Sequence, residues 1–197
     1  MSYYTPTSKL QVSENFYKTS LPGLFYFKAP KFNDERGFFS EIIKLPELEK
    51  VIGQPFAPQQ INLARSEENV VRGMHAEDWN KLVFVNSGLA FCAIADIKPD
   101  SPTYKQSEFF QLGYDNEKEF GQGLFISQGF ANSVAVLKGP LNYIYIIDKL
   151  YADRDQADER SISLFDPELN INWPIAKEKI ILSDRDKQAV SLKDFEN

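Results

Sequence analysis

The sequence predicts an all-β fold, a sandwich or closed barrel. Three observations carry this prediction. Short apolar and aromatic runs recur at close spacing along most of the chain, which is the pattern of many short strands. Turn-forming clusters separate them, among them Asn86-Ser87-Gly88, Pro99-Asp100-Ser101-Pro102 and Lys138-Gly139-Pro140. Helical patterns do not alternate with the runs, which argues against a parallel α/β sheet. The length of 197 residues suits a single domain, and 14% aromatic residues supply a large core.

Residues 1–20 are polar and mixed and lead into Leu21-Pro22-Gly23, so they read as an N-terminal arm entering the first strand. Predicted strands cover residues 24–27, 38–43, 60–64, 70–74, 82–85, 89–97, 104–112, 123–126, 130–137 and 142–147. One short helix is predicted over residues 45–52. The stretch 152–160 is strongly charged, and Asp166-Pro167 and Trp173-Pro174 punctuate the remainder of the chain. Residues 152–197 therefore read as short helices and loops wrapping the barrel.

Charge and composition exclude several classes. Twenty-two basic against 28 acidic side chains leave a net charge of −6, which disfavours nucleic acid as a partner because a broad basic face is needed for it. An anionic small ligand would need its cations gathered locally. The one cysteine, Cys92, rules out an intrachain disulfide and a cysteine zinc site. It lies in the apolar run Leu89-Ala90-Phe91-Cys92-Ala93-Ile94 and reads as buried filler. No apolar stretch approaches the ~18 residues of a membrane span, and the polar N-terminus lacks a signal-peptide core. The expectation is a soluble, cytoplasmic protein with no membrane partner. Phosphate-loop, dinucleotide and nucleophile-elbow motifs are all missing from the sequence.

His75 is then the most informative residue, because imidazole is the side chain whose ordinary pKa lies near neutrality. Strand alternation places Val71, Gly73 and His75 on one face and Arg72 and Met74 on the other, unless Gly73 marks a bulge. A hydrogen-bonded structural histidine is the plain alternative to a general base. Tyr143, Tyr145 and Ile147 share a face, either as strand wall or with Tyr145 as a proton donor in a lumen. Lys81 opens a strand, either as a solvated end or as a cation beside an enolate oxygen. In Phe32-Asn33-Asp34-Glu35-Arg36-Gly37-Phe38-Phe39-Ser40-Glu41 the charged turn is a plain loop or supplies an arginine for phosphate.

These residues resemble a known family. Arg72-Gly73-Met74-His75, preceded by Gln60-Ile61-Asn62, is similar to the dTDP-4-dehydrorhamnose 3,5-epimerase family. Asp34-Glu35-Arg36-Gly37-Phe38-Phe39-Ser40-Glu41, Lys81-Leu82-Val83, Asp100-Ser101-Pro102-Thr103, Gly129-Phe130-Ala131, Asp166-Pro167-Glu168-Leu169, Trp173-Pro174 and Leu182-Ser183-Asp184-Arg185-Asp186 fit in the same order. The resemblance implies a cupin-type jelly-roll barrel, a homodimer, no metal or organic cofactor, and a nucleotide-diphosphate 4-keto-6-deoxy sugar as substrate. It implies His75 as base, Asp186 as its carboxylate partner, Tyr145 as the acid on the opposite face and Lys81 near the keto oxygen. Arg36, Glu41, Gln60, Asn62, Arg72 and Arg185 resemble nucleotide and diphosphate contacts, with Phe38 beside them and with Arg36 and Glu41 reaching in from a neighbouring subunit. Tyr151 resembles a residue stacked on the base, and Glu159 a further substrate-side carboxylate.

The chemistry agrees with these roles. A hydrogen beside a ketone is acidic because its conjugate base is an enolate. A base on one ring face removes it and an acid on the other returns it inverted, while a cation stabilises the charge on oxygen. Two departures touch the sugar pocket. Asn132 stands where the family motif carries a second histidine; it can hydrogen-bond a sugar hydroxyl or the keto oxygen but carries no proton at neutral pH. Glu77 stands where a glutamine is common, in a shorter loop after His75. Epimerisation at carbon 3, carbon 5 or both stays open. So do two other readings: a cupin isomerase that moves the keto group between carbons 3 and 4, and an inactive sugar-binding relative.

Overall fold

The computed structural model describes residues 2–115, 118–119, 123–155 and 159–195. Its first half holds β1 (Phe16–Lys18), β2 (Leu24–Phe27), β3 (Lys31–Asp34), β4 (Gly37–Ser40), α1 (Leu45–Ile52), β5 (Gln60–Ser66) and β6 (Val71–Ala76). The second half holds β7 (Lys81–Asp96), β8 (Ser107–Asp115), β9 (Lys118–Glu119), β10 (Gly123–Ile126), β11 (Phe130–Ile147), β12 (Arg160–Ser161) and α2 (Asp184–Lys187). The fold is all-β, as the recurrent apolar and aromatic runs predict.

β7 and β11 pair antiparallel along nearly their whole length and organise the barrel. Each changes its outer neighbour halfway. Residues 81–84 of β7 pair with β10, and residues 89–95 pair with β8. Residues 141–147 of β11 pair with β5, and residues 132–135 with β6. One pair of strands therefore belongs to two sheets: β1, β2, β10 and β5 extend the first, and β8, β9, β6 and β12 extend the second. This corrects four of the predicted strands. Asn86-Ser87-Gly88 and Lys138-Gly139-Pro140 do not reverse the chain; they mark register shifts between Val136 and Tyr143 where the pair passes from one sheet to the other. Bulges and bends of this kind are how strands turn the corner of a packed barrel.

Both faces of the long strands are covered, which explains their unbroken apolar runs. Val83, Val85, Ala90, Cys92 and Ile94 point into the lumen with Phe110, Leu112, Leu124 and Tyr143. Leu82 and Phe84 point outward under α1 and Phe56. Phe91, Ala93 and Ala95 point outward under the tail residues Ile162, Leu164, Leu169, Ile171 and Ile175. Cys92 is free and fully buried, and burial pushes its thiol up to about 12. The helix predicted over 45–52 forms there, with a proline in its first turn and Gly53 closing it in the left-handed region at φ 74°. No helix of the described residues is long and apolar enough to cross a membrane.

Other boundaries move. The strand expected over 38–43 ends at Ser40, and the one expected over 104–112 starts at Ser107. Part of the expected arm is ordered on the barrel: Phe16 in β1 is buried, and Tyr4 donates its N–H to the Phe109 carbonyl at 2.7 Å. The tail wraps the second sheet through loops and short helical turns. Residues 156–158 of the charged stretch lie outside the described residues.

Candidate active site

A cavity of about 600 Å³ opens between β5, β6, β7, β11 and the tail segment 181–186. That is within the usual ~300–1,000 Å³ of small-molecule sites. The alternation of β5 turns Gln60, Asn62 and Ala64 toward it and leaves Ile61, Leu63 and Arg65 exposed.

His75 reaches the cavity through a bulge. On β6 the partner of Asn132 is His75 and the partner of Val134 is Arg72, so β6 spends one residue more than β11 over this stretch. Gly73 supplies the irregularity at φ 117°, where a Cβ would lie 2.6 Å from the Asn132 carbonyl oxygen and 2.9 Å from the Ser133 Cα. Only glycine fits both conditions. Of the two courses open to this strand, the bulge at Gly73 is the one that forms: Arg72 and His75 both line the cavity, and Met74 is fully buried.

The tail brings in the carboxylate. Val71 donates its N–H to the Ile181 carbonyl at 3.0 Å, seating the tail beside β6. Ser183 then caps α2, its hydroxyl accepting from the Asp186 N–H at 3.1 Å. Asp186 Oδ1 lies 2.6 Å from His75 Nε2. Burial pushes the Asp186 carboxyl up, but hydrogen bonds from His75, Ser183 and the Gly73 N–H outweigh it, and the net result lies below the usual carboxylate value. An ionised carboxylate only accepts, so Nε2 carries the imidazole proton and Nδ1 is left as the basic nitrogen.

This depressed carboxyl gives stability a definite pH dependence. It stabilises the fold above its unfolded value of roughly 3.9, and that contribution is lost as pH falls through the lower folded value. Asp186→Asn is expected to melt below the wild type at neutral pH, with the gap closing in strong acid. Thermal melts of both proteins between neutral pH and about pH 2 check this; a gap that stays constant contradicts it.

Lys81 is buried at the start of β7 and donates to Glu77 Oε2 and Asn132 Oδ1, each at 2.8 Å. Its Nζ lies 5.8 Å from the centre of the Tyr145 ring. Tyr145 is half-buried; burial and the Glu77 charge raise its phenol above the ordinary value, outweighing the opposing charge of Arg72. The phenol is therefore protonated at neutral pH. Tyr143 is more deeply buried and is also raised, by burial first.

Cations and aromatics line the mouth. Arg72 donates to the Ser66 hydroxyl at 2.8 Å and the Arg65 carbonyl at 3.2 Å, both uncharged. Arg185 donates to Ser161 and pairs with Glu159 at 2.6 Å. Glu159 also takes Arg154 at 3.0 Å; it lies outside the cavity lining and meets it through Arg185. Arg154 stacks 4.0 Å over the Tyr151 ring, whose backbone N–H is held by Gln60. Trp79 lies 6.2 Å from Tyr151.

Ten of the sequence-derived residues share this cavity: His75, Tyr145, Asp186, Lys81, Gln60, Asn62, Arg72, Asn132, Tyr151 and Arg185. Arg36, Phe38 and Glu41 do not. Arg36 is exposed on the β3–β4 turn, paired with Asp34 at 2.6 Å; Phe38 is exposed on β4; Glu41 pairs with Lys44 at 3.2 Å. Sequence reasoning missed Trp79, Tyr143 and Arg154 as neighbours of the site. It also missed Ser183, although Ser183-Asp184-Arg185-Asp186 has the form of a helix cap.

The cavity of this β-barrel gathers an imidazole–carboxylate pair, a buried ammonium and a protonated phenol, groups that can give and take protons beside a small molecule. A family profile described as dTDP-4-dehydrorhamnose 3,5-epimerase matches residues 18–194. The dTDP-4-dehydrorhamnose 3,5-epimerase of Shigella flexneri is 31% identical over 176 residues, covering 87% of this chain and 92% of that one. The Pseudomonas aeruginosa enzyme of the same name is 31% identical over 180 residues, covering 90% and 95%. A solved dTDP-6-deoxy-D-glucose-3,5-epimerase from Legionella pneumophila, in complex with dTDP-4-keto-L-rhamnose, superposes with a TM-score of 0.81 at 31% identity, covering 91% of this chain and 93% of that one. The chain belongs to the dTDP-4-dehydrorhamnose 3,5-epimerase family, and its barrel is of the cupin type that the sequence motifs imply.

Proposed function

We propose that this chain is an epimerase of a nucleotide-diphosphate 4-keto-6-deoxy sugar, acting at a carbon next to the keto group. The observation that carries this reading is the 2.6 Å contact of His75 with Asp186 in a cavity that also holds Tyr145 and Lys81. His75 Nδ1 takes the proton from the carbon beside the ketone. The C–H electron pair passes into an enolate, whose oxygen lies against the Lys81 ammonium. The Tyr145 phenol then gives its proton to the same carbon from the other face, and solvent restores both groups. Nothing is oxidised or reduced. A cation that meets charge only as it develops lowers the barrier more than it tightens binding. Arg72 and Arg185 supply the local positive charge that a diphosphate needs in a protein of net charge −6.

Three lining residues carry a buried polar atom with no protein partner among the described residues: Asn62 Nδ2, Trp79 Nε1 and the Tyr143 hydroxyl. Buried donors left this way are satisfied by a ligand or water. Incubation with dTDP- and GDP-linked 4-keto-6-deoxy sugars, followed by proton NMR, tests the reading. Inverted product at carbon 3, carbon 5 or both supports it. Unchanged stereochemistry across the panel, or migration of the keto group instead, overturns it.

The working form in this reading is a homodimer. Ile61 and Leu63 are 69% and 68% exposed on β5, an edge strand, and Phe32, Phe38 and Phe39 are exposed on the β3–β4 hairpin. An apolar edge strand invites pairing unless covered. A second copy covers these residues and receives Arg36, Phe38 and Glu41 at its own cavity. Sedimentation is expected to give a dimer for the wild type and a monomer for Ile61→Glu/Leu63→Glu; a monomeric wild type contradicts the dimer.

A further inference from the structure

We propose that Glu77 and Asn132 are positioning residues: together they aim the Lys81 ammonium at the substrate oxygen. An ammonium has three N–H donors and no acceptor. Glu77 Oε2 and Asn132 Oδ1 each hold one of them at 2.8 Å. Because the donors are tetrahedral, fixing two directions fixes the third. The Lys81 side chain is 9% exposed and that of Glu77 14%, so little water competes for these bonds. A charge-assisted bond in such surroundings is roughly twice as strong as a neutral one.

The clamp is tied to the groups that do the chemistry. Asn132 on β11 is the backbone partner of His75 on β6. Glu77 directly follows β6, and Lys81 pairs through its backbone with Ile147, two residues beyond Tyr145. The cation is thus held in the same strand framework as the imidazole and the phenol. Without the clamp, a lysine has four rotatable bonds and no fixed direction. The kinetic part of this assignment rests on the epimerase reading above; the geometric part does not.

The test uses full-length protein labelled with ¹⁵N at lysine Nζ. The Lys81 ammonium signal, identified by its loss in Lys81→Met, is expected to be protected from exchange with water. Glu77→Gln keeps the shape and removes the charge, and Asn132→Ala removes the second acceptor. Each is expected to speed that exchange about tenfold or more, the first because the ion pair is lost and the second because an acceptor is lost. With a sugar nucleotide that the wild type inverts, Glu77→Gln is expected to lower kcat about tenfold with KM within about twofold. In a Lys81→Met background it is expected to cost nothing further, because residues acting through one group are not additive. Unchanged ammonium exchange in both variants, or losses that add to those of Lys81→Met, overturn the proposal. If the wild type inverts no sugar nucleotide, the epimerase reading fails, while ammonium exchange still decides the clamp.

Discussion

His75→Ala is expected to abolish the wash-in of solvent deuterium beside the keto group, slowing it about 10³-fold or more. General acid–base assistance is typically worth about 10²–10⁴-fold, and this is the only histidine in the chain. The other groups on the cavity wall are poor replacements. The Asp186 carboxylate is 4% exposed and faces the imidazole; Tyr145 is protonated; Lys81 is engaged with Glu77 and Asn132. The fold should survive the change. The imidazole is 22% exposed, and Asp186 keeps hydrogen bonds from Ser183 and the Gly73 N–H. Loss of one bond to a buried carboxylate costs about 1–3 kcal/mol, which a thermal melt reads as a modest shift. Wild-type wash-in in a folded His75→Ala protein removes His75 from the role of base.

Tyr145→Phe is expected to separate two events that the wild type couples. The base and the cation are untouched, so proton removal continues and deuterium enters from the His75 face. The phenol proposed to return a proton on the other face is gone, so inversion is expected to fall about 10²-fold or more. NMR on one sample reads both, since deuterium content and configuration are separate observables. The ring packs 5.9 Å from Tyr143, and the substitution removes only an oxygen, so packing is preserved. Equal loss of wash-in and inversion places Tyr145 outside the second proton transfer.

Most of the candidate site was legible through the family resemblance, whose motifs are local. Arg72-Gly73-Met74-His75, Gln60-Ile61-Asn62 and Leu182-Ser183-Asp184-Arg185-Asp186 each land on the cavity wall. What the sequence concealed is long-range. The Gly73 bulge, one of the two courses the sequence left open for β6, is decided by the close approach of Asn132 and Ser133, so Arg72 faces with His75. Asn86-Ser87-Gly88 and Lys138-Gly139-Pro140 have turn composition, yet they bend strands between two sheets, because the neighbouring strands β8, β10, β5 and β6 decide the course of the chain there. Propensity within a window carries no information about such partners. Glu77 is two residues from His75 in sequence, but its bond to Lys81 depends on how β6 and β7 meet. Glu159 carries the opposite lesson: its carboxylate is taken up by Arg154 and Arg185 and lines no part of the cavity.

In the proposed reaction an imidazole and a phenol stand on opposite faces of one sugar ring. A crystal structure with a non-reactive nucleotide-diphosphate 6-deoxy sugar bound in the cavity tests it directly. The expected result places His75 Nδ1 and Tyr145 Oη on opposite ring faces, each within about 3.5 Å of a carbon next to carbon 4, the separation of a near-attack geometry. Both groups on one face, or a ring bound away from them, contradicts that claim.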